Sequence, residues 1–220
     1  MMDAPFDPPL SPEEARVLGV LIEKALTTPD YYPLTLNALV TACNQKSNRY
    51  PVVDYDDATV HDAAESLQRR GLVRMLRDAR STKYRHLIEE KLDLLPRQTS
   101  ILGVLLLRGP QTVGEIRTRT TRMFAFEQLE DVERVLRYLM EGESPLVARL
   151  PLRPGTKEAR YAHLLSGQVQ SDAYEGGASS GESRGSSSDR VAALEDEVEA
   201  LRSEVAELRE AFATFRQQFE

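Results

Sequence analysis

Residues 17–21 read Val-Leu-Gly-Val-Leu, and residues 101–105 read Ile-Leu-Gly-Val-Leu. Farther along, Tyr84-Arg85-His86-Leu87 is echoed by Tyr161-Ala162-His163-Leu164. Between these anchors, Thr35-Leu36-Asn37-Ala38-Leu39 matches Thr112-Val113-Gly114-Glu115-Ile116, and Gly71-Leu72-Val73 matches Gly142 with Leu146-Val147. Matches that keep their order over such a span point to an internal duplication.

Each copy reads as three helices and a strand pair. In the first, Ser11-Pro12-Glu13-Glu14 supplies a helix cap, proline at the first helical position and glutamate at N3, with Leu10 placed as a hydrophobic staple. Val17, Leu18, Leu21, Ile22 and Ala25 then recur at helical spacing and mark one buried face, ending before Thr28-Pro29. A second helix begins near Thr35, turns Leu36, Leu39 and Val40 inward, and fades in Asn44-Gln45-Lys46-Ser47-Asn48. The third follows Asp54-Tyr55-Asp56-Asp57, buries Val60, Ala63, Ala64 and Leu67, and stops at Gly71. Strands are predicted over 72–76 and 83–88 around a polar tip.

The second copy repeats the order with a shorter link. Its first helix runs from about Pro96 to Leu107 and ends at Gly109-Pro110; Thr112 and Glu115 form a capping box; Val132, Val135, Leu136 and Leu139 mark the third helix's buried face. Strands are predicted over 146–150 and 160–164. The fold class is therefore mainly α with small β-hairpins: two tandem winged-helix domains, 11–93 and 94–167, after a short tail over 1–10. In a winged helix the third helix usually reads a DNA groove.

From 168 to 188 the composition shifts to Gly, Ser and acidic residues, the signature of a flexible linker. Beyond it, over 189–220, Val191, Leu194, Val198, Leu201, Val205, Leu208, Phe212, Phe215 and Phe219 step by three and four, a coiled-coil seam. Val at a and Leu at d favour two parallel strands, and Glu197 and Glu204 at g would face Arg202 and Arg209 at e of a second copy.

No stretch approaches the roughly 20 apolar residues that span a bilayer, and the first ten residues lack the basic and apolar regions of a secretory signal. A cytoplasmic protein with no membrane association is expected. Its one cysteine, Cys43, in a helical neighbourhood, reads as a buried small hydrophobe. The net charge of -7 is unevenly spread: 12 Lys/Arg against 15 Asp/Glu over 1–95, 11 against 8 over 96–170, and 5 against 12 over 171–220. Most of the acidity lies in the tail, so the near-neutral remainder neither announces nor excludes a nucleic-acid partner.

The runs LTLNALVTACNQKSNRYPV and DDATVHDAAESLQRRGLVR resemble the YceH-like family of bacterial proteins, over about residues 10–165. The resemblance implies a tandem winged-helix fold in a bacterial cytosolic protein; no catalytic residue travels with it. The linker and the heptads lie outside it.

The motifs of serine hydrolases, phosphate-binding loops, zinc proteases and cysteine zinc sites are absent, so no enzyme, cofactor or metal is expected, nor a ligand-sized pocket with converging titratable groups. His61 stands alone on the third helix, while His86 and His163 hold equivalent places on the last strand of each copy, which suggests packing. Carboxylates crowd both third helices: Asp54, Asp56 and Asp57 in the first copy, Glu127, Glu130, Asp131 and Glu133 in the second. They would be repelled by phosphates, which weakens a groove-reading role. Cations collect elsewhere: Arg74, Arg77, Arg80, Lys83 and Arg85 on the first hairpin, Arg149, Arg153, Lys157 and Arg160 on the second, Lys46 and Arg49 in the polar loop, with Arg117, Arg119 and Arg122 after the second copy's second helix. Two functions remain open, a dimeric DNA-binding protein using hairpins and loops on phosphates, and an adaptor whose winged helices grip a protein.

The heptad seam generates the first prediction. The full-length chain should sediment as a dimer at micromolar concentration; truncation after Gln168, or Leu201→Lys, which buries an ammonium in the seam, should leave monomers. A full-length monomer would falsify the coiled coil.

Overall fold

The structure is a computed structural model that describes residues 5–77, 81–152, 155–156 and 158–167, all within the unit Met1–Ser171. The linker and the heptad seam, Val191 to Phe219, lie outside the described residues.

Helix α1 (Pro12–Thr27) starts as its sequence dictates: the Ser11 N–H donates to the Glu14 carboxylate (2.8 Å), the Glu14 N–H donates to Ser11 Oγ (3.2 Å), and Leu10 is buried. A 3-10 turn (Pro29–Tyr31) leads to a short strand β1 (Leu34–Thr35). Thr35 then caps α2 (Leu36–Cys43), and Asp56 caps α3 (Asp57–Arg69) by accepting from the Thr59 N–H at 2.8 Å. Gly71, at φ +72°, turns the chain out of α3 into β2 (Val73–Arg77), which pairs antiparallel with β3 (Thr82–His86). A five-residue helix α4 (Ile88–Leu92) joins the halves.

The second half follows the same plan: α5 (Pro96–Arg108), α6 (Val113–Thr120) opened by the Thr112/Glu115 capping box, α7 (Leu129–Met140), then the antiparallel pair β4 (Val147–Arg149) and β5 (Tyr161–His163). Gly142, at φ +100°, makes the turn that Gly71 makes in the first half. Buried residues of α3 and α7 are the two expected quartets, Val60, Ala63, Ala64, Leu67 and Val132, Val135, Leu136, Leu139. The described residues thus form a mainly helical unit of seven α-helices with small antiparallel sheets.

Strand pairing supports the duplication in detail. Leu34, just before the Thr35 cap, pairs with Tyr84; Gln111, just before the Thr112 cap, pairs with Tyr161 through hydrogen bonds of 3.0 and 2.7 Å. Val73 lies opposite His86, and Val147 lies opposite His163. Three features were not legible in the sequence. These are β1, too short to show an alternation, the Gln111 bridge, and α4, which has no side-chain cap.

One helical face was expected to be buried on α1, but residues 14–22 are buried without interruption, as are 98–107 on α5. A helix buried all round must be covered on both sides. Each of these two packs on its own half with one face and on the other helix with the opposite face, which merges the apolar residues of both halves into one core. The repeated glycine is where they meet. A Cβ on Gly19 would lie 3.0 Å from Leu106 Cβ, and one on Gly103 would lie 2.8 Å from Ile22 Cγ2.

Adding volume there forces side chains off their rotamers at about 1–3 kcal/mol, whereas Ala gains about 1 kcal/mol over Gly in a helix. Gly103→Ala should therefore cost about 1 kcal/mol net and Gly103→Leu distinctly more. Gly114→Ala, where the added Cβ meets nothing nearer than 4.0 Å, should be neutral or stabilising. Urea unfolding midpoints give the order, and a neutral Gly103→Leu would contradict the close crossing.

Candidate nucleic-acid interface

Residues directly opposite in an antiparallel pair share a face, as do residues two apart on a strand. In the first hairpin Arg74 pairs with Arg85 and Leu76 with Lys83, so three cations occupy one face. Val73, Met75, Tyr84 and His86 take the other face, toward the core, where Tyr84 is fully buried. Arg74 and Lys83 are exposed; Arg85 forms an ion pair with Glu90 at the start of α4. Arg77, opposite Thr82, is exposed at the far end of the pair, and Arg80 lies outside the described residues.

The second hairpin does not copy this face. Arg149 is exposed, but the Arg160 guanidinium donates to the Glu115 carboxylate at 2.8 Å and to the Pro110 carbonyl at 3.0 Å. Arg153 and Lys157 lie outside the described residues. Past the second helix, Arg117 donates to the Phe126 and Glu127 carbonyls (3.3 and 2.7 Å), Arg119 pairs with Glu115 (3.7 Å), and Arg122 is exposed.

In the polar loop Lys46 is exposed, but Arg49 is no phosphate contact. Its side chain is 0% exposed and makes five hydrogen bonds: to Glu23 Oε1 and Oε2 (3.1 and 2.6 Å), Gln45 Oε1 (2.8 Å), and the Ala42 and Asn48 carbonyls (3.1 and 3.0 Å). Both asparagines of NQKSNR are engaged as well. The Asn44 amide both donates to the Tyr55 carbonyl and accepts from its N–H (2.8 Å each), and Arg108 of α5 donates to Asn48 Oδ1. The Tyr50 N–H donates to the Leu107 carbonyl at 2.8 Å, so the loop clamps the first half onto α5. Arg16, also buried, closes it from inside by donating to the Cys43 and Pro51 carbonyls.

The acidic residues of the third helices have local partners as well. Asp56 is the α3 cap, held below the usual carboxylate range by hydrogen bonds from Thr59. Asp131 accepts from the Gln128 N–H at 3.3 Å and pairs with Arg134 at 3.4 Å. On one turn of α3 the ligand atoms of His61, Asp62 and Glu65 lie within 4.8 Å of one another on an open surface, the sole such group among the described residues.

Burial pulls the pKa of both His86 and His163 down to about 4, so both imidazoles are neutral at pH 7 in matching positions. Burial also pushes the Cys43 thiol up to about 12, which keeps it from acting as a thiolate. The expectation of no ligand-sized pocket is overturned: a cleft of about 760 Å³ opens beside α7, with Asp93, Arg97, Glu127, Asp131 and Arg134 on its walls. Neither His61 nor Cys43 lines it. The sequence concealed it because its walls come from three separate segments.

A family model described as "Protein of unknown function, DUF480" matches residues 10–156. The chain belongs to this family. A UPF0502 protein of Pelobacter propionicus is 57% identical over 167 residues, 76% of this chain and 76% of the relative. One of Geobacter metallireducens is 56% identical over 163 residues, 74% of each, and one of Solibacter usitatus is 48% identical over 184 residues, 83% of this chain and 88% of the relative. The family match takes in the first half from residue 10, the clamping loop and the second half as far as 156, and leaves 157–220 outside.

Removing one partner of a buried ion pair strands the other, at about 3–5 kcal/mol. Arg49→Ala should unfold the chain at clearly lower denaturant, while Arg74→Ala, on the exposed face, should stay within about 0.5 kcal/mol of the parent. Equal effects in chemical denaturation would refute this division of the arginines.

Proposed function

We propose that this is a non-enzymatic, cytoplasmic binding protein whose two halves are winged helices and which holds duplex DNA by its phosphates, two copies being joined by the 189–220 coiled coil. The observation that carries the reading is the strand register of the first hairpin, which gathers Arg74, Lys83 and Arg85 on one outer face, while Arg77 is exposed on the alternate side at the end of the pair. Cations spaced along a hairpin suit a charged backbone, and phosphate contacts orient a protein without reading bases. The acidic starts of α3 and α7 oppose groove insertion, so the reading is of sequence-tolerant binding, strongly salt-dependent. A dimer would present two such hairpins to one duplex and raise the effective concentration of the second contact. No helix among the described residues is long and apolar enough to cross a membrane, in keeping with this reading. The protein-adaptor alternative is favoured by a separate observation, the cleft beside α7.

A salt titration with a 30-base-pair duplex is the test. Log affinity should fall linearly with log salt at about -0.9 per phosphate neutralised, and Arg74→Ala/Lys83→Ala should flatten the slope by about two such contacts for every sequence alike. Asp57→Lys should tighten binding, since an exposed carboxylate at the start of α3 becomes a cation. Absence of binding at about 50 mM salt would remove DNA as the ligand.

A further inference from the structure

The cleft beside α7 is built from the entry to α5, the 124–127 segment and α7 itself. Phe126 and Val135, each 7% exposed, form its floor. Leu95, Phe124 and Tyr138 stand on its rim at 51, 37 and 54% exposure. The Phe124 and Phe126 rings lie 4.8 Å apart at a tilt of 56°, so the aromatic wall is held in a defined shape. Single exposed apolar side chains are ordinary, whereas several around one hollow mark an interaction site. On the other side of Tyr138 a second hollow of about 350 Å³ lies between Leu92 and Leu94 on one side and Leu139 and Leu146 on the other. Tyr138 thus lines two hollows of mixed polar and apolar character, of about 760 and 350 Å³, both bordered by α7.

The charge around them is net negative. The lining of the two hollows carries four carboxylates, Asp93, Glu127, Asp131 and Glu141, against two guanidiniums, Arg97 and Arg134. Arg134 and Asp131 pair with one another, which leaves Asp93, Glu127 and Glu141 against Arg97. A phosphate backbone would be repelled here, and an acidic peptide likewise. The hollows accept individual side chains, not a folded domain.

We propose that this groove docks a short, basic, amphipathic segment of a partner protein. Two apolar side chains enter the hollows beside Tyr138, and flanking Lys or Arg side chains meet Asp93, Glu127 and Glu141. Apolar anchors in a groove supply the affinity and the surrounding charge sets sign, register and encounter rate. The inference stands apart from DNA binding, which uses the first hairpin and the opposite charge.

The test is selection of a random 12-residue peptide library on the immobilised full-length chain, followed by titration of the enriched peptides against variants. Enriched peptides should pair apolar residues with a net positive charge, and should bind Tyr138→Glu and Phe124→Ser chains at least tenfold more weakly than the parent. Tyr138→Phe should retain binding. Tyr138 is half exposed, and matched thermal melts of the variants show whether a loss is local. No enrichment, net acidic peptides, or equal binding to both groove variants would overturn the proposal. So would a shift of the full-length chain to a smaller sedimenting species on Tyr138→Glu, which would make a second copy the occupant. Duplex binding, measured in parallel, should be unchanged in both variants, so failure here and failure of the DNA reading are separate results.

Discussion

The crossing of α1 and α5 is the constraint on which the rest of the described fold depends. Two helices approach this closely only where a side chain is missing, and the duplicated pentapeptide supplies a glycine at the same place in each. Gly19 faces Leu106 and Leu107; Gly103 faces Ile22. The contact is reciprocal, as expected where two copies of one unit pack through the same surface. It also accounts for the uninterrupted burial of α1 and α5: apart from one another, each would expose an apolar stripe that its own half cannot cover.

The polar loop between α2 and α3 works with that crossing. Burying a guanidinium costs several kcal/mol unless hydrogen bonds to acceptors compensate it. Arg49 is met by Glu23, Gln45 and two carbonyls, and Arg16 by two carbonyls. The geometry that satisfies both fixes the loop, and the fixed loop presents Asn48 and Tyr50 to α5. The wording that marks the family in the sequence is therefore explained by architecture. A hydrogen-bonded cage tolerates few substitutions, because each one leaves a buried partner unmet.

Local rules made much of the fold legible. Caps were readable at Ser11, Thr35 and Thr112, where a short polar side chain precedes an apolar period, and the stops at Gly71 and Gly142 were readable because only glycine takes a positive φ there without strain. Helices α3 and α7 could be drawn residue by residue, since each buries a single stripe. What escaped was non-local. The second buried face of α1 depends on a helix some eighty residues away, and β1 exists only through its pairing with β3. The cleft is assembled from three segments, none of which has a distinctive pattern by itself.

The candidate site was legible as a list of cations but not as a surface. Sequence places Arg49 and Arg160 beside Lys46 and Arg74 as equals, because charge is visible in a sequence and its partner is not. Structure separates them: Glu23 and Glu115 hold the first two in place, while Arg74 and Lys83 remain on an open face. The same sorting changes the meaning of the acidic third helices. Asp56 and Asp131 meet local demands of capping and pairing, but Glu127 lines a hollow that also holds Phe124, Phe126 and Tyr138. Duplication provided two copies of one scaffold, and divergence gave their exposed faces opposite charge. The cationic face on the first hairpin and the net-acidic groove beside α7 differ in charge and in shape, so the two surfaces suit different ligands.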